Sequence, residues 1–156
     1  MSEPGPPAPS SLVARIAEAK AKRDWSVLGS VIPYTQLLGI SADHSNDELR
    51  GVMRFSPSLI GNAAIPALHG GTIGALLEST AIFQLLWESE TIVLPRTITI
   101  TVDYLRSGRA VDTFARGTIT RLGRRVASVR VEAWQEDRSR PIATANAHLL
   151  ITPSSE

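Results

Sequence analysis

Leu68-His69-Gly70-Gly71-Thr72-Ile73-Gly74-Ala75-Leu76-Leu77-Glu78 decides how this chain is read. A His and two glycines open a long apolar helical pattern that runs to about residue 90, and one carboxylate sits two turns in. A helix start presents backbone N–H groups without intrahelical acceptors, at the positive end of the helix dipole. Glycine lets a ligand oxygen approach that backbone closely. At the adjacent helical positions Glu78 has only Gly74, Ala75, Ala81 and Ile82, so no partner charge is offered and partial desolvation is expected. A Gly pair before a helix is by itself an ordinary junction, and His69 by itself an ordinary capping side chain. Together with Glu78 they mark an active site.

The helix has few polar residues over its first four turns, so other structure must wrap it. On its N-terminal side, residues 11–23 repeat with helical spacing, Leu12, Ile16 and Ala19 sharing a face. A second short helix is expected over 25–32, disrupted by Pro33. Strand-like runs over 38–43 and 48–56 flank the turn-forming Ser45-Asn46-Asp47, and a loop fills 57–68.

On the C-terminal side the period becomes two. Ile98, Ile100, Val102 and Tyr104 alternate with Thr97, Thr99, Thr101 and Asp103. Further strands are expected over 112–121, 125–136 and 141–152, with turns at Leu122-Gly123 and 137–140. Ala127, Val129, Val131 and Ala133 share one face; so do Ala143, Ala145, Ala147 and Leu149. Such small side chains let a helix lie close. The order implies an α+β fold, an antiparallel β-sheet wrapped around a long central helix.

That order, with these residues, resembles the hotdog fold and its acyl-CoA thioesterase branch, of the phenylacetate-degradation and 4-hydroxybenzoyl-CoA types. Those enzymes carry His-Gly-Gly at the start of the central helix and an Asp or Glu nine residues after the His, as Glu78 follows His69 here. The segment Leu105-Arg106-Ser107-Gly108 and the hairpin Arg121-Leu122-Gly123-Arg124-Arg125 are also similar to the family's, and the resemblance spans about residues 39–151.

The resemblance implies hydrolysis of an acyl-CoA thioester to free acid and coenzyme A. Gly70 N–H would be the oxyanion donor, supported by Gly71, and Glu78 the base or nucleophile. His69 would orient the loop or hydrogen-bond the thioester. Asn62 resembles a polar residue that the family places six positions before the His, where this chain has Ala63. It also implies a site at a subunit interface, hence a homodimer at minimum and a homotetramer as the expected assembly. Arg121, Arg124 and Arg125 are candidates for the coenzyme A phosphates, with Arg106 and Arg109 behind them. Arg suits phosphate through its planar fork.

Bulk properties narrow the alternatives. The 156 residues suffice for a single domain, assigned to 11–156 with an N-terminal helical extension, after a Pro-rich tail at 1–10 expected to be disordered. Net charge is +1, with 6 basic and 9 acidic residues over 1–95 against 10 and 6 over 96–156. That excess is too small for a nucleic-acid footprint. With no Cys and three isolated His residues, no metal site and no redox cofactor are expected. No apolar run reaches the length of a membrane span and no secretory leader is evident, so a cytoplasmic protein is expected. The competing readings are a non-catalytic acyl-CoA-binding hotdog protein and an enoyl-thioester hydratase or dehydratase.

Overall fold

The computed structural model describes residues 9–152; of the tail expected over 1–10, residues 1–8 lie outside the described residues, while Pro9 and Ser10 are not disordered but begin the first helix. Helix α1 (Pro9–Lys22) buries Ile16 and Ala19. A 3-10 turn at Trp25–Val27, helix α2 (Leu28–Val31) and helix α3 (Pro33–Leu38) follow. The sequence reading let Pro33 only end a helix. Here Pro33 also begins one, at a first-turn position where its missing N–H costs nothing. Gly39, at φ +67°, closes α3 in the left-handed conformation.

Strands β1 (Ile40–Ser45) and β2 (Glu48–Met53) form a hairpin through Asn46 and Asp47, both with positive φ, the turn whose twist matches paired strands. The expected loop holds a 3-10 turn at Pro57–Leu59 and a small two-stranded sheet, β3 (Ile60–Asn62) with β4 (Ala67–Leu68). Helix α4 (Gly70–Glu88) then leads to β5 (Arg96–Tyr104), β6 (Thr113–Leu122), β7 (Val126–Trp134) and β8 (Ala143–Leu150).

The main sheet is six-stranded and antiparallel throughout, in the order β1-β2-β6-β7-β8-β5, so among the described residues β5 is an edge strand paired only with β8. Helix α4 buries residues on nearly every side, among them Leu76, Leu77, Phe83 and Leu86, each fully buried. The alanine rows of β7 and β8 are buried beneath it. Gly51 of β2 also permits the approach, because a Cβ there would overlap the buried Thr80 hydroxyl. Truncating a core leucine such as Leu76 to Ala would cost about 2–5 kcal/mol.

At the far end, Lys20 of α1 donates to the carbonyls of Ser89 and Thr91, just beyond the last turn of α4, where a cation also meets the negative end of the helix dipole. Burial holds the Lys20 ammonium below the ordinary lysine pKa. The sheet and the α1 contact together fix where the first turn of α4 points. No helix among the described residues is long and apolar enough to cross a membrane.

Candidate active site

His69 is the N-cap of α4, with extended backbone (φ −65°, ψ 129°). Its N–H donates to the Leu59 carbonyl at 2.8 Å, tying the helix start to the preceding loop. Strand β3 passes so close that a Cβ on Gly61 would lie 2.7 Å from His69 Cα. The imidazole Nδ1 accepts the Gly71 N–H at 2.9 Å, which in the neutral ring leaves the proton on Nε2. The His69 carbonyl accepts both the N–H and the hydroxyl of Thr72, at 2.9 and 2.7 Å.

Those bonds use the first-turn amides except one. Gly70 N–H is left without an acceptor among the described residues. It belongs to the same peptide group as the His69 carbonyl, which also accepts the Ile73 N–H at 3.5 Å and so three hydrogen bonds in all, and such bonds polarise a peptide toward stronger donation. The amide of Gly71, by contrast, is committed to its cap.

Gly70, Gly74 and Glu78 recur every four residues and share one stripe of α4. Strand β5 covers it at both ends. The Tyr104 hydroxyl donates to the Gly70 carbonyl at 2.7 Å, and Thr97 Oγ1 donates to Glu78 Oε1 at 2.6 Å. Period-two reading put Thr97 on the face opposite Ile100. A β-bulge between Thr97 and Thr99 corrects this: Thr97 is registered with the buried Leu149, Thr99 with the exposed His148, and Ile98 becomes 53% exposed. Glu78 is half-buried, as its surroundings suggested.

A cavity of about 370 Å³ opens beside the helix start, lined by Leu68, Gly70, Ile73, Tyr104, Leu105 and Arg106 among others. It unites two sequence candidates, Gly70 and Arg106. Asn62 is not among its lining residues; it is exposed at the end of β3, where Oδ1 accepts the Ala64 N–H at 3.0 Å and braces its own loop. Arg121, Arg124 and Arg125 line a different cavity, of about 470 Å³, with Ser128 and His148, whose Oγ and Nδ1 are 2.9 Å apart. Val126, next to that hairpin, and Arg96 both pair with Leu150, so these arginines lie at the Arg96 end of the sheet. Gly70 lies at the Tyr104 end, roughly 26 Å away along nine-residue β5. Arg109 pairs with Glu136 in a third, smaller pocket that shares Arg106. Among the described residues no cluster of three His, Asp or Glu is placed to hold a metal.

Sequence reasoning missed Gly61, Thr97 and Tyr104 as site residues. Tyr104 was visible as the last member of an inward row; Thr97 was hidden by the bulge.

A thioesterase superfamily model matches residues 66–142, from the turn before β4 to the turn before β8. The chain is similar to the medium/long-chain acyl-CoA thioesterase YigI of Escherichia coli K12, at 32% identity over 134 residues, covering 77% of this chain and 86% of the relative. Among solved structures it resembles a Chromobacterium violaceum protein, 39% identical with a TM-score of 0.72 over 90% of this chain and 98% of the other. A Shewanella oneidensis protein related to the thioesterase superfamily gives 28% and 0.71, over 88% and 97%. With the wrapped helix and its uncommitted first amide already in place, these similarities settle the kinship: the chain belongs to the thioesterase superfamily and has its hotdog fold.

Proposed function

We propose that this protein hydrolyses medium- or long-chain acyl-CoA thioesters to the free acid and coenzyme A. The observation that carries the reading is the Gly70 amide, held open at a helix N-terminus while its neighbours are capped, on one stripe with a half-buried carboxylate. The chain-length class comes from the named activity of the Escherichia coli relative.

In this reaction Gly70 N–H and the helix dipole receive the thioester oxygen as it becomes an oxyanion. Such a donor contributes about 2.7–4 kcal/mol in the transition state. Glu78 either takes a proton from the attacking water or attacks the acyl carbon itself, giving an anhydride that water then opens. By either route the C–S bond breaks, the thiolate leaves and is protonated, and the acid retains the new oxygen. Thr97 holds Oε1 of Glu78, leaving Oε2 for the chemistry. Arg106, beside Gly70, is the nearest phosphate reader.

The two groups cannot serve one carbonyl within a single subunit. Eight residues of helix separate Gly70 and Glu78 by roughly 12 Å along the axis, several times a reacting distance. The unpaired edge of β5 supports the remedy, a dimer in which two β5 strands pair antiparallel. Each site then joins Gly70 of one subunit to Glu78 of the partner subunit. The same pairing brings the Arg121–Arg125 hairpin of one subunit toward the Gly70 end of the other.

The test is thiol release from a panel of acyl-CoAs, with Glu78→Gln beside wild type. Wild type should release thiol and the variant should fall by about 10²–10⁴-fold, the usual contribution of a positioned base. No release from any chain length by folded wild-type protein would overturn the reading.

A further inference from the structure

We propose that Tyr104 is the specificity-determining residue for the acyl carbon next to the thioester, excluding branched and aryl groups; this rests on the reading of Gly70 as the carbonyl site. The phenol packs against the part of α4 that lacks side chains. A Cβ on Gly70 would meet its Cε1 and Cζ at 3.3 Å, and a Cβ on Gly74 would meet its hydroxyl at 3.4 Å. The Gly70 contact is tighter than ordinary packing, so that glycine makes room for this ring, while at Gly74 the contact would be an ordinary one. A carbonyl bound at Gly70 N–H has the ring as its immediate neighbour in the 370 Å³ cavity.

In the single subunit burial does not hold the ring there, since Tyr104 is 54% exposed. Its hydroxyl does, by donating to the Gly70 carbonyl at 2.7 Å, so swinging it aside breaks a hydrogen bond. A methylene is slim enough to pass along the cavity side of the pinned ring. A branched or aromatic α-carbon is not. Discrimination therefore has two parts, the bulk of the ring and the hydroxyl that fixes it.

The experiment compares kcat/KM for octanoyl-CoA and benzoyl-CoA in wild type, Tyr104→Phe and Tyr104→Ala, each verified as folded by circular dichroism. The octanoyl preference should fall about tenfold in Tyr104→Ala, the scale set by steric fit in an apolar pocket, with Tyr104→Phe intermediate. An unchanged ratio, or a parallel loss for both substrates, would overturn the proposal and leave Tyr104 a structural residue. Affinities for the non-hydrolysable octyl and benzyl thioether analogues, measured by calorimetry, read the same preference without turnover. If wild type hydrolyses nothing, the catalytic reading fails alone; Tyr104 is then retained if Tyr104→Ala shifts the analogue ratio and rejected if it does not.

Discussion

The two larger cavities with arginine in their walls lie at opposite ends of the sheet and differ in what else lines them. The near one holds a single candidate arginine, Arg106, but also the uncommitted Gly70 amide and the Tyr104 ring. The far one gathers Arg121, Arg124 and Arg125 around a Ser128–His148 hydrogen bond, with no helix terminus in its wall. Positive charge alone thus does not locate chemistry; the helix start does. The far arginines reach a substrate at Gly70 only from another subunit.

The sharpest way to break the near end is Gly61→Ala. Its Cβ would lie 2.7 Å from His69 Cα and displace the cap that aims the Gly70 amide. Turnover should drop about 10²-fold, as expected for a misplacement near 1 Å, with folding retained by circular dichroism. Full activity would mean the amide does not need that cap.

Next in size comes Arg106→Ala, expected to raise KM about tenfold with kcat little changed, because one charge-assisted phosphate contact is lost. Arg124→Ala with Arg125→Ala should raise KM only about threefold, and that difference should shrink in high salt, as exposed charge contacts do. A larger effect at the hairpin than at Arg106 would reverse the ranking of the two cavities.

Much of this was legible in the sequence. The start of α4 and the order of the main-sheet strands follow from periodicity and capping, and the spacing of Glu78 from His69 carries the family resemblance; α3 and the small β3–β4 sheet were not expected. What stayed hidden depends on register and on distance between elements. A bulge adds one backbone residue without a composition signal, so strict alternation put Thr97 on the face opposite Ile100 and gave no hint that it holds Glu78. Arg106 ranked behind the hairpin arginines because a sequence carries no measure of which end of a sheet each occupies. Pro33 was taken as a stop because a helix start and a helix break use the same residue.

The smallest expected effect lies outside both cavities and separates stability from catalysis. Asp112 accepts the Phe55 N–H at 2.7 Å and pairs with Arg54 at 2.8 Å, which together hold its carboxyl below the ordinary aspartate pKa. Its stabilisation is therefore complete above about pH 3.9 and fades as pH falls through the lower folded value. Asp112→Asn should cost about 1 kcal/mol at neutral pH, allowing for solvent screening, and kcat/KM should not change. In thermal melts the gap between variant and wild type should close toward pH 3; a gap that persists would assign the loss to packing.

The central claim is a thioester site shared between subunits, with the oxyanion donor on one and the carboxylate on the other. Mixing the Glu78→Gln and Gly61→Ala proteins, after reversible dissociation, tests it most directly. A hybrid dimer contains one site with an intact Gly70 cap and an intact Glu78 of the partner subunit. The account predicts that thiol release from octanoyl-CoA recovers to about one quarter of the wild-type rate at equal mixing, because half the dimers are hybrids and half their sites are whole. Mixtures that exchange subunits yet remain as inactive as the separate variants would contradict it.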